Sequence, residues 1–380
     1  MRNNDVIRET LSSLETPAVL IDRGVLEENI ARAAEIARYA GAALRPHVKT
    51  HKSLRIAELQ IKAGAAGVTT AKPSEAAVFL DGGVRDVTVA YPLVDPRKAE
   101  RLIQMAAGKG ARLRLVADST DGIEAITAAA SSCEATVEVM VEVDVGLLRC
   151  GVDPANELAA HLAARLGAHP STIFAGLLSH AGQAYAAKDA DHVRQIAEAE
   201  RRTMTSLARK LRDAGIKVPT ISVGSTPTVW LGESFEGITE LRPGNAVFMD
   251  LTQVSLGVAL PQNLALSVLA TVISVNHRFA IIDAGSKVLS SDVGPHGSKR
   301  LTGYGVACLV DDPAWEIPVV NLSEEHGFLA HGGKVPRIGA RVRIWPNHAC
   351  PVVNLAEQLV AISGNGNIER WTVDARGCVW

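Results

Sequence analysis

Between Leu44 and Lys52 the chain reads LRPHVKTHK, placing His47, Lys49, His51 and Lys52 within six residues. An unpaired core does not tolerate so many ionisable nitrogens, so the stretch is expected either to close a strand in solvent or to hold a ligand. A lysine amine in such a setting can form a Schiff base with an aldehyde cofactor. Two later turns, VGSTPT (Gly224, Ser225, Thr226) and RPGN (Gly244, Asn245), offer backbone N–H groups and hydroxyls able to wrap a phosphate, although the same strings also suit ordinary turns. Near the end stands RIWPNHACPVV, with His348 and Cys350 two residues apart. On an extended chain that spacing puts imidazole and thiolate on one face, where both reach one cation; the alternative is a buried cysteine beside a surface histidine.

These residues need elements to position them. PAVLID from Pro17 reads as a strand, and a helix spans 26–41, ending at Gly41. Strand-like runs follow at 43–49, 67–72, 86–93, 112–118, 136–144, 173–181, 220–224 and 240–248. Between them lie amphipathic stretches at 53–64, 73–81, 95–108, 120–132, 155–167 and 188–214. Strands alternating with helices predict a parallel sheet, and eight units fit an α/β fold of the closed (β/α)8 TIM barrel type. Beyond Leu251 helical periodicity gives way to β-branched runs separated by Gly, Pro, Asn and Asp, which predicts an antiparallel β domain. The expected domains are a barrel at 20–250 and a C-terminal β domain at 251–380 carrying the metal site, with 1–19 packed on the latter.

In such barrels chemistry collects where the strands end. Those ends carry His47 and Lys49, Thr70 and Lys72, Glu142, Asp144 and Arg149, His180 and Tyr185, Gly224 to Thr226, and Arg242, Gly244 and Asn245. A lysine on the first strand with phosphate-wrapping turns after the seventh and eighth suggests pyridoxal 5'-phosphate (PLP) held as a Schiff base.

Composition narrows the classes. A formal net charge of -2 without a basic run argues against a nucleic-acid partner. The polar N-terminus MRNNDVIRETLSSLE lacks the apolar core of a secretory signal, and no apolar run approaches the roughly 20 residues that span a bilayer, so no membrane role is expected. Five widely spaced cysteines (Cys133, Cys150, Cys308, Cys350 and Cys378) read as reduced thiols, and the protein as cytoplasmic.

The series RPHVKTHK, EVDVG with RCGV, HAG with Tyr185, VGSTPT, ELRPGN, EEHG and PNHAC, in that order over residues 17–380, resembles the D-serine dehydratase and D-threonine aldolase family, the metal-dependent fold-type III PLP enzymes. The resemblance implies an alanine-racemase-like barrel followed by a β domain. Lys49, the first lysine of the RPHxK motif, would then hold PLP, leaving Lys52 solvated or beside the phosphate. Gly224, Ser225, Thr226, Gly244 and Asn245 would cradle the phosphate, and Arg149, His180 and Tyr185 would line the pyridoxal ring, unless Arg149 braces Asp144 instead. His348 and Cys350 would bind a divalent metal, zinc by virtue of the sulfur, with manganese or magnesium as the harder alternatives.

The implied activity is that of a lyase on D-3-hydroxy amino acids. Dehydration of D-serine to pyruvate and ammonia stands first, with Lys49 as the base at Cα. Retro-aldol cleavage of a D-threonine type, giving glycine and an aldehyde with His348 as base, is the alternative, and PVVNL after Cys350 leans that way. Racemisation is a third reading, for which Tyr304 is the one candidate second acid or base in the β domain. A homodimer is implied by the same resemblance. Glu324, Glu325, His326 and Asp283 receive no role; a charged turn accounts for EEHG.

Overall fold

Strands buried on both faces read as near-continuous apolar runs, and VEVMVEV and TIFAGLLS are of that kind. The computed structural model describes residues 2–294 and 300–380, with side chains from Asp5 onward. Strand β1 is Ala18–Asp22, and eight more follow: β2 Ala43–Leu44, β3 Val68–Thr70, β4 Asp86–Pro92, β5 Arg112–Ala117, β6 Val137–Val143, β7 Thr172–Ser179, β8 Thr220–Val223 and β9 Glu240–Leu241. Strands β2 to β9 form one sheet in the order β2-β9-β8-β7-β6-β5-β4-β3, every pair parallel. A parallel bridge between His47 and Thr69 joins its two ends, so the (β/α)8 sheet closes. The connecting helices include Pro73–Asp81, Pro96–Gly108, Thr120–Ser132, Leu158–Ala168 and Ala190–Asp213.

Two of the eight strands are shorter than their apolar patterns predict. Pairing of β2 stops at Leu44, because Pro46 has no N–H and the chain coils into a one-turn 3-10 helix at Val48–Thr50. Arg45 and His47 still donate to the carbonyls of Leu241 and Pro243 at 2.9 Å. Likewise β9 stops at Leu241, before Pro243 and Gly244, and a second 3-10 turn occupies Asn245–Val247.

The cation-rich stretch is also not a solvated strand end. His51 is fully buried and Lys52 only 5% exposed. Lys52 takes a left-handed backbone (φ 49°), and its Nζ lies 3.4 Å from the Ala375 carbonyl, so it is not a solvated lysine. His51 Nδ1 accepts the Ser53 N–H at 3.1 Å and Lys52 gives its ammonium to a backbone carbonyl, so their burial is tolerated.

Charge is also paired low in the barrel, at the strand starts. Arg45 donates to Glu240 at 2.7 Å and to Asp86 at 2.8 Å. Arg114 meets Glu138 at 2.9 Å and Glu240 at 3.4 Å, and Arg112 meets Glu138 at 2.7 Å. Removing one partner of a buried pair strands the other. Arg45→Met is therefore expected to lower unfolding stability by about 3–5 kcal/mol, read by denaturant melts. Arg112→Ala, at the half-exposed rim, is expected to cost less than about 1 kcal/mol.

The chain separates into two compact units. One holds the eight parallel strands within Ala31–Lys49 and Ile56–Gly244, with Cys378–Trp380. The other comprises the chain up to Ile30, Thr50–Arg55 and Asn245–Gly377, so segments from inside the expected 20–250 range group with the C-terminal sheet. Its strands are β1 with β10 Leu266–Val275, β11 Phe279–Ile282, β12 Gly305–Leu309, β13 Glu316–Leu322, β14 Gly327–Ala330, β15 Arg341–Pro346, β16 Gln358–Ile362 and β17 Ile368–Thr372. Their order is β11-β14-β13-β12-β15-β10-β1-β16-β17, and β11 also pairs with β10. The pairings are antiparallel except that β1 runs parallel to β16. Leu11 of helix Arg2–Ser13, and Leu14 just after it, pack on Leu20, Leu269, Val360 and Ile362.

Candidate active site and metal pair

Lys49 sits on the 3-10 turn that follows β2, half-buried. Its neighbour His47 reports the local field. Burial first, then the positive charges of Lys49, Arg242, His180 and Arg149, hold this imidazole well below its ordinary pKa. Its Nδ1 has no hydrogen-bond partner among the described residues. Several cations acting on one neutral ring make a setting that favours an anion, as a phosphorylated cofactor would be.

The walls of this setting come from β6, β7, β8 and β9. Arg242, just past β9, is buried and donates to the Ser222 hydroxyl at 2.6 Å and to the Ser179 carbonyl. Glu200 accepts from the Ser179 hydroxyl at 2.8 Å and from the Gly224 N–H at 3.3 Å. Burial raises the Glu200 carboxyl, with those donors opposing. Nδ1 of His180 lies 3.4 Å from the Gly224 carbonyl, and Tyr185 is buried in the 3-10 turn Gly182–Ala186.

Arg149 does not brace Asp144. Its Nη2 lies 3.8 Å from Glu142 Oε1, while Asp144 Oδ1 accepts the N–H groups of Gly146, Leu147 and Leu148 at 2.9, 3.0 and 3.1 Å. The carboxylate of Asp144 thus shapes the loop that carries Arg149.

Gly224 has a φ of 114°, and a Cβ there would stand 2.7 Å from Val229 Cγ2, so the turn after β8 admits only glycine without rearrangement. Ser225 caps the short helix Thr226–Leu231, and its N–H is taken by Thr228 Oγ1 at 3.0 Å. This helix lies inside a string expected to be only a turn. Gly244 leads into Asn245, which is buried, gives its Nδ2 hydrogen to Asp250, and has an Oδ1 without a partner among the described residues. The glycine turn and the lysine among cations fit a phosphorylated, lysine-held group.

His348 and Cys350 do come together, but not on an extended strand. β15 ends at Pro346; His348 is the residue before the helix Ala349–Leu355, and Cys350 lies in its first turn. His348 Nδ1 is 2.8 Å from Asp292 Oδ2, and Cys350 Sγ is 3.4 Å from Thr50 Oγ1. Burial opposes the charged imidazole, yet the Cys350 thiolate and Asp292 push His348 up to about 10. Burial likewise works against the Cys350 thiolate, but the imidazolium and the Thr50 hydroxyl bring its net pKa down. Among the described residues no group of three or more His, Cys, Asp and Glu could hold a metal, so the chain offers this pair and leaves other positions open. Near neutral pH the imidazole carries a proton that a metal must displace. Uptake of zinc at pH 8 is expected to release at least the imidazole proton, and affinity to climb as pH rises towards about 10. Calorimetry in buffers of different ionisation enthalpy checks this.

Asp250, near the pair, was not foreseen. It accepts from Ala349 N–H at 3.0 Å, from Gln253 N–H at 3.2 Å and from Asn245. Glu200 was also missed, although its signal was present: it occupies the buried stripe Val193, Glu200, Met204, Leu207 of the long helix, where an acid is out of place. Tyr304 lies half-buried in the turn before β12, its N–H on the Val319 carbonyl. Glu324 and Glu325 pair with Lys287 at 2.9 and 2.7 Å on the surface, as a charged turn does. Asp283 accepts from Thr16 and Thr271 at 2.6 and 2.7 Å.

Comparison with known proteins agrees with this geometry. Residues 21–252 match the model described as alanine racemase, N-terminal domain, and residues 265–362 match a putative serine dehydratase domain. The chain is 35% identical over 379 residues to a D-threo-3-hydroxyaspartate dehydratase of Delftia sp. (strain HT23), covering 96% of this chain and 98% of that protein. It is 30% identical over 375 residues to a D-threonine aldolase of Arthrobacter sp., covering 97% and 94%. Among solved structures, a cysteine-to-alanine mutant of a D-threo-3-hydroxyaspartate dehydratase in its metal-free form superposes with a TM-score of 0.88 at 33% identity, over 95% of this chain and 98% of that one. The chain belongs to the D-serine dehydratase and D-threonine aldolase family of PLP-dependent lyases, built on an alanine-racemase-type barrel.

Proposed function

We propose that this lyase dehydrates a D-3-hydroxy amino acid of the D-serine type, releasing a 2-oxo acid and ammonia, with zinc held by His348 and Cys350. The observation that carries the reading is the half-buried imidazole and thiol side by side, the thiol already inclined to ionise. A thiolate is a soft ligand and favours zinc over manganese or magnesium. A related dehydratase was solved in a metal-free form, which supports a metal in the reaction.

PLP bound at Lys49 would supply the electron sink that acidifies Cα, and the metal would supply a Lewis acid for the β-hydroxyl. Lys49, with its amine free, would take the Cα proton. Gly224, Ser225, Thr226, Gly244 and Asn245 hold the phosphate, while Arg149, His180 and Tyr185 orient the ring. Arg242 and Glu200 fix the carbonyl and N–H groups on which that arrangement rests. Thr50, next to Lys49 in sequence, holds the Cys350 sulfur, so one short segment serves both base and metal ligand.

Retro-aldol cleavage stands as a second reading because the likeness to a D-threonine aldolase also runs nearly end to end. Incubation with D-serine, D-threonine and D-threo-3-hydroxyaspartate, with assays for oxo acids, glycine and aldehydes, decides between them. Oxo acid with ammonia is expected; glycine with an aldehyde and no oxo acid would overturn the reading. No helix among the described residues is long and apolar enough to cross a membrane. We place the enzyme in the cytoplasm as a homodimer, on its unbridged thiols and on the family likeness; light scattering at micromolar concentration tests the dimer.

A further inference from the structure

The ring of His348 has two nitrogens, and only one can face a metal. We propose that Asp292 is the positioning residue that fixes this choice: by accepting a hydrogen bond from Nδ1–H it turns Nε2 towards the metal and holds the imidazole against Cys350. The inference rests on the reading that His348 and Cys350 bind the metal.

Three features converge on Asp292. The contact is short, 2.8 Å from Oδ2 to Nδ1, and the imidazole it grips keeps only 15% of its side-chain surface exposed. The carboxylate is itself held: its Oδ1 accepts the N–H of Gly294 at 2.9 Å, and its backbone N–H donates to the Ser290 hydroxyl at 3.1 Å. Ser290 stands in the left-handed region (φ 64°), so the turn that delivers Asp292 departs from a regular path. A pair of ligands is fewer than the three usual for catalytic zinc, which makes the orientation of each one more consequential. Carboxylates that fix a ligating histidine through its other nitrogen commonly contribute 10–100-fold to metal affinity.

The test compares zinc affinity of the full-length protein, by competition with a chromophoric chelator, for wild type, Asp292→Ala, Asp292→Asn and His348→Ala. The expected result is a loss of roughly 10–100-fold for Asp292→Ala. Asp292→Asn, whose amide oxygen can still accept from Nδ1–H, is expected to recover part of that loss, which a role in folding alone would not predict. The visible band of the lysine-bound cofactor is expected to remain in all variants and serves as the control for folding. Asp292→Ala binding zinc as tightly as wild type while His348→Ala has lost it would overturn the role of Asp292. His348→Ala binding zinc like wild type would instead overturn the metal-site reading beneath it.

Discussion

Replacing Lys49 by alanine is expected to abolish turnover, lowering kcat by roughly 10⁴-fold, because on the proposed reading one side chain would supply both the covalent hold on the cofactor and the base at Cα. The visible absorbance band of the cofactor should vanish with it. PLP can still enter through its phosphate contacts, so the variant should bind the cofactor loosely and lose it on gel filtration. If the band persists, another lysine is the anchor, and the structure disfavors Lys52 in that role because its Nζ is directed to the Ala375 carbonyl. Lys72 would then be the next to replace: it lies half-buried just past β3, its Nζ 4.2 Å from the Tyr91 ring centre.

His348→Ala or Cys350→Ala should separate the two halves of the chemistry. The cofactor band is expected to survive, since Lys49 is left in place. Dehydration should fall by roughly 10²–10³-fold in kcat, the worth of several kcal/mol of leaving-group stabilisation. Metal content measured on the same samples should fall to background. Cys350→Asp is the informative companion: it exchanges a soft ligand for a hard one, so manganese or magnesium should restore more activity than zinc. Full dehydration by metal-stripped protein would remove the pair from the mechanism.

The barrel was legible in the sequence because most of its strands are apolar runs closed by a turn and followed by a helix of matching period. Arg112–Ala117 and Thr120–Ser132 are such a pair, found within a residue or two of where they were expected. Strand lengths were not legible at β2 and β9, where proline ends pairing before the apolar pattern ends. β14 (GFLA) and β17 (IERWT) are four and five residues long and carry no continuous β-branched run, so they leave little mark in the sequence. The His-x-Cys pair was found for a geometric reason that does not hold. Spacing by two suits a strand, but here the helix begins between the two residues, and they meet because one precedes the helix and the other lies in its first turn. Asp292 and Thr50, which grip the two ligands, lie 56 and 300 residues from them, and no local pattern connects such positions. The burial of His51 and Lys52 was misjudged for a related reason: a cation's tolerance depends on acceptors brought from elsewhere, in this case Ala375.

The charges low in the barrel bear on how the chain can be made. Arg45, Arg112 and Arg114 face Asp86, Glu138 and Glu240, three against three, and the tally is even only when Glu240 has joined. Glu240 opens the last strand, 195 residues after Arg45. A nascent chain that has emerged only as far as β8 would leave a surplus positive charge in a region that folding removes from water. Seven-eighths of this barrel is therefore not a resting point: synthesis must pass residue 240 before the ring can settle, and fragments ending earlier should stay open to proteases.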